Sequence, residues 1–216
     1  MERFKPLIVM PALNEEKTIS SLLFPLVKTC SVLVVDDGSI DGTARIVSSS
    51  GASLLQHQTN RGYAAAINSG FQYAEKLNFT HVITFDADGE HDPYALIEIL
   101  NLIKKNSTSL GIGIRMNRRR LSEHIVSYIC KLIWGVDDIF CGLKVYPIDL
   151  WHQYNLFESY DSCGTELFLH GVKDGRRVVQ TKINGTKRES KSRFDTPIRA
   201  HLRILKQIYY MLGLKC

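Results

Sequence analysis

Two aspartates spaced two residues apart, Asp86 and Asp88, are the strongest candidates for chemistry in this sequence. They follow an apolar run at 81–85 whose β-branched and aromatic content is typical of a buried strand. On a continued strand both side chains point to one face, and Gly89 permits the chain to turn directly afterwards. Two carboxylates held this close repel each other unless a cation lies between them.

Oxygen ligands of this kind suit Mg2+ or Mn2+, with water and a substrate's phosphates completing the coordination. The pair therefore predicts a diphosphate held by a metal ion. A simpler explanation is that both aspartates cap the helix that begins near Pro93, as aspartate often does. The pair alone does not decide between these explanations.

The elements that must position these carboxylates form a regular series. Strand-like runs at 7–11, 31–36, 52–56 and 81–86 alternate with helical patterns at 15–28, 41–50, 62–77 and 92–105. Repeated βα units of this length predict an α/β fold with a Rossmann-like, mainly parallel central sheet flanked by helices. Ligands bind at the carboxyl ends of the strands in such sheets, so the loops that follow the strands are expected to form the site.

Polar and small residues occupy those loops. Asn14 can cap the first helix, and Glu15 lies in its positive first turn. Asp36 ends the second strand, where an acidic residue commonly hydrogen-bonds ribose hydroxyls or a base edge. The small side chains after Gly62 would let the third helix approach the sheet or a nucleotide closely.

Length and composition predict one domain of a soluble globular protein, since the 216 residues are 44% hydrophobic and 23% charged. No apolar run approaches the roughly 20 residues that span a bilayer, and the N-terminal stretch does not have a signal-peptide pattern. Five cysteines without a Cys-x-x-Cys pair favour a reduced compartment. We therefore expect a cytoplasmic protein, peripheral at the cytoplasmic face of the membrane.

Positive charge is concentrated at the C-terminal end, where residues 182–216 contain nine Lys or Arg and two acids. Such a segment suits an anionic surface or a phosphate-bearing ligand, or else forms a solvated helix face. Residues 196–216 have a basic amphipathic pattern, which predicts a helix that contacts a membrane surface or a membrane subunit, or that packs on the domain. Nucleic acid is not an expected partner, because the basic residues lack interleaved aromatic side chains.

Four segments occur in the order and spacing of family 2 glycosyltransferases. They are Pro11-Ala12-Leu13-Asn14-Glu15, Val35-Asp36-Asp37-Gly38-Ser39, Asn60-Arg61-Gly62 with Asn68-Ser69-Gly70, and Asp86-Ala87-Asp88-Gly89-Glu90-His91. Over residues 5–195 the chain resembles the dolichol or polyprenyl phosphate mannose synthases of this family. The resemblance implies a GT-A fold, a nucleotide-sugar donor, a divalent metal and inversion at the anomeric carbon.

The resemblance also implies roles for individual residues. Asp86, Asp88 and Glu90 would hold the metal and the diphosphate, with Asp88 as a catalytic residue; many relatives carry Gln in place of Glu90, which keeps an oxygen ligand. The candidates for binding the nucleotide sugar are Pro11, Ala12, Asn14, Glu15, Asp36, Asp37, Gly38, Asn60, Gly62, Ala66, Asp86, Ala87 and Asp88.

The second half of the chain supplies candidates for binding an acceptor. Arg115 is similar to the Arg of a Gly-Ser-Arg segment in relatives and could bind phosphate through its two-pronged guanidinium. Arg118 and Ser122, four residues apart, resemble the acceptor-phosphate segment of the lipid-phosphate enzymes, although a solvated basic turn would look the same. The segment 187–193 resembles one that closes over the diphosphate but lacks its Gly, and its candidates are Arg188, Lys191 and Arg193.

One further segment, 137–146, resembles the family's Asp-x-x-Ser-Gly-Phe-Arg motif, with Cys141 in the Ser place and Lys144 in the Arg place. In relatives that use hydroxyl acceptors, an Asp near this position is the general base, and Asp138 aligns with it. Asp138 and Arg115 are therefore catalytic candidates together with Asp88.

The acceptor decides whether a base is needed. A phosphate monoester has a second pKa of about 6 and can attack without deprotonation, whereas a sugar hydroxyl needs a base. The basic residues on the acceptor side favour a polyprenyl or dolichyl phosphate; the alternative is a saccharide hydroxyl in cell-surface polysaccharide synthesis. A non-catalytic nucleotide-sugar-binding subunit is a third possibility, which the intact set Asp86, Asp88 and Glu90 opposes.

These expectations define the domain organisation. Residues 1–195 are predicted to form a single GT-A domain, with a nucleotide-sugar-binding half at about 1–110 and an acceptor-side half at 111–195. Residues 196–216 would form the basic amphipathic helix.

Overall fold

The protein was analysed as a computed structural model that describes residues 4–87, 93–116, 121–158, 164–183 and 213. In these ranges, no helix has the length and apolar character needed to cross a bilayer. The thiols of Cys30, Cys130 and Cys141 are free.

A seven-stranded sheet forms the centre of the molecule. Its strands are β1 (Pro6–Ala12), β2 (Ser31–Asp36), β3 (Ser53–Gln56), β4 (His81–Thr84), β5 (Leu110–Arg115), β6 (Lys144–Pro147) and β7 (Val178–Ile183). They lie side by side in the order β3-β2-β1-β4-β6-β5-β7. Every neighbouring pair is parallel except the two that include β6, which runs antiparallel to β4 and β5. The prediction of a mainly parallel α/β sheet is confirmed.

Seven helices are described around this sheet. They are α1 (Ile19–Leu26), α2 (Thr43–Ser48), α3 (Tyr63–Lys76), α4 (Pro93–Lys105), α5 (Leu121–Trp134), α6 (Ile148–Tyr154) and α7 (Glu166–Lys173). The first four follow β1 to β4 one by one, as the sequence predicts.

The central strands form where the sequence has continuous apolar runs, since a strand covered on both faces is buried at consecutive positions. Leu7 to Met10 of β1 are buried without a break, and so are Val32 to Val35 of β2. Helix α3 packs closely on β1 because Gly70 has no side chain: an added Cβ would lie 2.3 Å from Cγ1 of Val9. The prediction that small residues let α3 approach the sheet is thereby confirmed.

The chain direction around β1 creates a place for a ligand. β1 pairs with β2 on one side and with β4 on the other, and the connections leave it in opposite directions. Such a switch point opens a crevice beyond the carboxyl ends of the strands. The loops after β1, β2 and β4 therefore meet at this edge.

The first helix begins later than the sequence predicts. We expected a helix from residue 15 with Asn14 as its cap, but α1 begins at Ile19. Asn14 instead has a left-handed backbone, with φ of 55°, and its side-chain oxygen accepts a hydrogen bond from the backbone N–H of Ile40 at 2.9 Å. The residue ties two loops together, so the prediction of a cap was wrong.

Candidate active site

Two buried aspartates, Asp36 and Asp37, hold the loop after β2 in place through hydrogen bonds of their carboxylates. Asp36 is 1% exposed. Its oxygens accept hydrogen bonds from the backbone N–H of Ser39 at 2.9 Å and from the side-chain amide of Gln56 at 3.2 Å. These hydrogen bonds hold the turn after β2 in place, and the predicted contact of Asp36 with a ribose stays a prediction.

Asp37 is the centre of a second buried network. Its oxygens accept hydrogen bonds from the backbone N–H groups of Arg61 at 2.9 Å and Gly62 at 2.7 Å. The Nδ1 atom of His57 lies 2.7 Å from the same carboxylate, and the Nε2 atom of His57 lies 2.9 Å from the Ser69 hydroxyl. Because a carboxylate only accepts, Nδ1 of His57 carries a proton in this arrangement. Asp37 therefore clamps the loop after β3 to the end of β2.

Close packing of the two loops depends on glycine. Gly38 has φ of +83°, and an added Cβ would lie 2.9 Å from the backbone nitrogen of Asn60. Gly62 also has a positive φ, of 89°, directly before α3. Ala66 is buried one turn into that helix. Gly38 and Asn60 are thus in close contact, and Gly62 and Ala66 follow at the start of α3; their predicted contact with a nucleotide sugar stays a prediction.

The loop after β1 reaches the segment that carries the metal candidates. The backbone N–H of Glu15 donates to the Thr43 hydroxyl at 2.9 Å. The hydroxyl of Thr18 lies 3.0 Å from the Glu15 carboxylate and 3.0 Å from the Ala87 carbonyl oxygen. Pro11 and Ala12 end β1 on this side, so the predicted nucleotide-sugar residues of the first half lie along one edge.

The metal candidates are described only in part. Asp86 is half-buried, two residues past the end of β4. Asp88 and Glu90 lie outside the described residues, and within the described ranges no three His, Cys, Asp or Glu side chains form a group able to hold a metal. The Asp86 carboxylate is an oxygen ligand of the kind that hard divalent cations prefer.

The acceptor side contains a buried ion pair between Arg115 and Asp138. Nε of Arg115 lies 2.9 Å from Oδ2 of Asp138, and Nη2 lies 3.0 Å from Oδ1. The backbone N–H of Arg115 also donates to Oδ2 at 3.0 Å, and Glu123 of α5 lies 3.5 Å from Nη2. Burial acts to lower the pKa of Arg115, but the hydrogen bond and charge of Asp138, with further help from Glu123, outweigh it and raise the pKa.

The ion pair with Arg115 affects whether Asp138 can act as the predicted general base. Asp138 is 0% exposed, and both of its oxygens accept hydrogen bonds from the Arg115 guanidinium, so neither oxygen is open to a substrate hydroxyl. The geometry therefore does not support Asp138 as a base. It supports Asp138 as the residue that orients Arg115.

A second cation, Lys144, lies beneath the same edge. It is 2% exposed, and its ammonium donates to the carbonyl oxygen of Cys141 at 2.7 Å. Burial lowers the pKa of Lys144, while the charges of Cys141, Asp86 and Asp138 act to raise it. Burial also raises the pKa of the Cys141 thiol to about 12, so this thiol is not a nucleophile at neutral pH.

Several predicted acceptor-side residues are not described. Arg118, Arg188, Lys191 and Arg193 lie outside the described residues. Ser122 lies in the first turn of α5, and its side chain is outside the described part of the chain.

Sequence reasoning missed His57, Thr18 and Glu123, and it named Ser69 only within a family motif; all four contact predicted residues or the side chains that hold them. His57 had a usable signal, because it directly follows β3 at the edge where ligands bind. Glu123 did not have one, since an acidic residue in the first turn of a helix is common.

Comparison with known proteins agrees with this architecture. The family model described as glycosyl transferase family 2 matches residues 7–150, more than half of the chain. The chain is 37% identical to an uncharacterized protein of Methanocaldococcus jannaschii over 192 residues, which cover 82% of this chain and 79% of that protein. It is 27% identical to the polyprenol monophosphomannose synthase of Mycolicibacterium smegmatis, with 86% of this chain and 78% of the relative covered.

Two further proteins are similar at lower identity. The UDP-N-acetylglucosamine–dolichyl-phosphate N-acetylglucosaminyltransferase of Methanococcus voltae is 24% identical, with coverage of 75% of this chain and 78% of the relative. The glucosyl-3-phosphoglycerate synthase of Mycobacterium tuberculosis, solved with Mn2+ and UDP-glucose, superposes with a TM-score of 0.76 at 16% identity, covering 98% of this chain and 80% of that one. The second likeness bears on the fold alone. Together with the sheet described above, it shows that this chain has the GT-A fold. The family match and the relative at 37% identity show that the chain belongs to glycosyltransferase family 2, as a nucleotide-sugar-dependent glycosyltransferase.

Proposed function

We propose that this enzyme transfers a sugar from a GDP- or UDP-sugar to a polyprenyl or dolichyl phosphate, with inversion at the anomeric carbon. An oxygen of the acceptor phosphate forms the new bond to the anomeric carbon. The bond from that carbon to the nucleoside diphosphate breaks, and the diphosphate leaves with the bonding electron pair. The names of the relatives that act on polyprenyl and dolichyl phosphates support this acceptor class.

The observation that carries the proposal is an exposed apolar stripe on α5, which begins next to the acceptor-side cation. Ile125, Tyr128 and Leu132 are spaced three and four residues apart, so they lie on one face of the helix. Tyr128 is 66% exposed and Leu132 is 68% exposed, and the neighbouring Ile133 is also exposed. A contiguous row of exposed apolar side chains on one helix face suits contact with an apolar partner.

The positive charge of Arg115, next to the start of α5, complements the negative phosphate head of such a partner. Glu123, in the first turn of α5, contacts Nη2 of Arg115. The Nη1 atom of Arg115 has no hydrogen-bond partner in the part of the chain that the structure describes. We propose that Nη1 binds the acceptor phosphate, joined by Arg118 and Ser122, while the isoprenoid chain extends along the stripe on α5.

A phosphate acceptor also agrees with the burial of Asp138 in its ion pair with Arg115. The phosphate monoester is already mostly dianionic at pH 7, with a second pKa of about 6, and needs cations more than a base. A saccharide hydroxyl would need a base, and the aligned Asp138 is buried in its pair with Arg115. This contrast favours the lipid phosphate over the saccharide hydroxyl.

On the donor side, we propose that Asp86, Asp88 and Glu90 hold Mg2+ or Mn2+, with Asp88 as a catalytic residue. The bound metal would neutralise charge that develops on the departing diphosphate. Asp37 and His57 keep the loop of residues 57–62 in place beside the nucleoside. Arg188, Lys191 and Arg193 are proposed to add contacts to diphosphate or acceptor phosphate.

We further propose the domain organisation expected from the sequence, with one GT-A domain at 1–195 and a basic helix at 196–216 that contacts a membrane surface or a membrane subunit. This arrangement would hold the enzyme at the cytoplasmic face of the membrane that contains its acceptor. The apolar stripe on α5 supports such peripheral contact.

The test incubates purified protein with Mn2+ or Mg2+, a short-chain polyprenyl phosphate and a panel of radiolabelled UDP- and GDP-sugars, and measures label that moves into the organic phase. We expect metal-dependent transfer of one sugar that EDTA and Asp88→Asn both abolish. Leu132→Gln should raise the KM for the lipid and leave that for the donor unchanged, while Leu102→Gln on the exposed side of α4 is the matched control. Transfer to a saccharide but not to the lipid would refute the acceptor assignment.

A further inference from the structure

We propose that Gln180 is a positioning residue for the acceptor site, because it fixes the turn that carries the partner of Arg115. Gln180 lies half-buried on β7. Its side chain acts through the turn of residues 135–138 rather than on a substrate. The inference deepens the proposed function, since it rests on Arg115 as the residue that binds the acceptor phosphate.

The side-chain amide of Gln180 is bound to the backbone of this turn at both of its polar atoms. Nε2 donates to the Gly135 carbonyl oxygen at 2.7 Å, and Oε1 accepts from the backbone N–H of Asp137 at 2.8 Å. The two backbone groups determine the orientation of the amide, because a carbonyl only accepts and an N–H only donates. One side chain therefore fixes the turn at two points, two residues apart.

The turn joins the end of α5 to the carboxylate that holds Arg115. Gly135 directly follows α5 and has φ of +69°. Asp138, the residue after Asp137, is 0% exposed and accepts hydrogen bonds from the Arg115 guanidinium at 2.9 and 3.0 Å. Adjacent residues are linked by one rigid peptide unit, so a movement of Asp137 also displaces the carboxylate of Asp138.

The sheet completes a closed ring of contacts around this turn. β7 pairs in parallel with β5 from Leu110 to Arg115, and Gln180 lies opposite Ile112. The backbone ladder thus joins β5 to β7, the Gln180 amide joins β7 to the turn, and the Asp138 ion pair joins the turn back to β5. Each contact in such a ring limits the movement that the others allow.

The ring places the two parts of the proposed acceptor site in a fixed relation. At one end of α5, the exposed side chains of Leu132 and Ile133 lie just before the turn that Gln180 holds. At the other end, Glu123 lies 3.5 Å from Nη2 of Arg115. Without Gln180, the guanidinium and the apolar stripe could move relative to each other. The lipid phosphate would then lose its orientation for attack, which is costly even for small displacements.

A purely structural role of Gln180 predicts a different result. A residue that only stabilises the turn would lower resistance to urea and leave the affinities of the folded enzyme for both substrates unchanged. A positioning residue acts on the acceptor alone. The donor should not be affected, because β6 and β5 separate β7 from β4, where the donor candidates begin.

The experiment compares wild type with Gln180→Met, which keeps a flexible side chain of similar length and removes both hydrogen bonds. Gln153→Met is the matched control, since the amide of Gln153 on α6 donates to Asp174 at 3.2 Å. The KM for a short-chain polyprenyl phosphate is measured at saturating donor with Mn2+, and binding of UDP and GDP is measured by calorimetry. The NMR signal of the Arg115 Nε–H reports on the ion pair without requiring activity, and its loss in Arg115→Lys identifies it.

We expect Gln180→Met to raise the KM for the lipid roughly tenfold, as the loss of two ordinary hydrogen bonds would produce. Its affinity for the diphosphates should stay within about twofold of wild type, as for sites without shared partners. The Arg115 Nε–H signal should shift and exchange faster with water, because Asp138 is no longer held in place. Gln153→Met should match wild type in all three measurements.

A second variant applies if Gln180→Met does not fold. Gln180→Glu keeps the hydrogen bond from the Asp137 N–H and sets a carboxylate against the Gly135 carbonyl oxygen, so it breaks one of the two contacts. We expect the same changes in the lipid KM and in the Arg115 signal.

An unchanged Arg115 signal in the folded variant would overturn the inference. So would an unchanged lipid KM in an active enzyme, or an equal weakening of lipid and diphosphate. If wild type does not glycosylate a lipid phosphate at all, the proposed acceptor fails, and the Arg115 signal alone decides the inference: a shift in Gln180→Met upholds Gln180 as the residue that positions Arg115.

Discussion

Asp138 holds Arg115 by three hydrogen bonds, two to the guanidinium at 2.9 and 3.0 Å and one to the backbone N–H at 3.0 Å. The contact joins the last residue of β5 to the chain that leads into β6. It also turns the guanidinium toward the start of α5, where Glu123 meets it. The arrangement presents one cation at the acceptor edge with a defined orientation.

Breaking this pair from one side should destabilise the protein more than removing it entirely. Arg115→Met leaves a buried carboxylate without its partner and should lower the free energy of unfolding by about 3–5 kcal/mol. The double variant Arg115→Met with Asp138→Leu should recover most of that loss, because no buried charge of the pair remains. Urea unfolding measures both values. Transfer to the lipid phosphate should be absent in both variants, and a double variant that retains transfer would show that Arg115 does not bind the acceptor.

The Asp37 network should control the affinity for the donor. Asp37→Ala leaves the N–H groups of Arg61 and Gly62 and the imidazole of His57 without their acceptor, which should cost about 1–3 kcal/mol of stability. The loop of residues 57–62 should exchange its amide hydrogens faster, and binding of the nucleoside diphosphate should weaken. Hydrogen exchange and calorimetry measure these effects. Ser69→Ala removes only the hydroxyl next to His57 and should cost about 0.5–1.5 kcal/mol; an equal effect of the two substitutions would contradict the central place of Asp37.

The close approach of α3 to β1 should be sensitive to one methyl group. Gly70→Ala forces the new Cβ against Val9 and should lower the free energy of unfolding by about 1–3 kcal/mol, the usual cost of an overpacked core. Gln72→Ala, at an exposed position on the same helix, should change it by less than about 0.5 kcal/mol. Thermal or urea unfolding compares the two variants. Equal stability of Gly70→Ala and wild type would mean that α3 can move away from the sheet at no cost.

His81 should make the protein less stable in mild acid. Burial lowers the pKa of His81 below its ordinary value of 6.5, although a hydrogen bond to the Ser107 carbonyl partly opposes this. As the pH falls through 6.5, the unfolded chain takes up the proton before the folded protein does. The contribution of neutral His81 is therefore complete above pH 6.5 and is lost as the pH falls toward the folded-state pKa.

Urea unfolding at pH 7.5 and pH 5.5 measures this loss. His81→Gln removes the titrating group and keeps a side-chain amide at the position of Nε2 that can donate to the Ser107 carbonyl. Its stability should fall less over this interval than that of wild type. Identical pH dependence in the two proteins would exclude His81 as a source of acid sensitivity.

Much of the first half of the fold follows from local patterns in the sequence. Continuous apolar runs predict β1, β2 and β4, and these strands are buried as expected. Pro11-Ala12 and Val35-Asp36 end β1 and β2, Asn60-Arg61-Gly62 precedes α3, and Asp86-Ala87 follows β4, where local turn chemistry is readable. The second half was less predictable. β6 has only four residues. A strand this short has too few alternating apolar and polar positions to be predicted from the sequence.

The sequence by itself determined the alternation of strands and helices through α4 and the family, because these depend on periodic burial and on short motifs within single segments. Only the tertiary structure decided which way the charged side chains face. Asp36 turns into its own loop, Asp37 reaches across to the loop after β3, Asp138 meets Arg115 across 23 positions of the chain, and Lys144 lies buried on β6. The physical reason is that a carboxylate or ammonium takes the partner that the packed strands bring to it, and sequence spacing does not record which strands become neighbours.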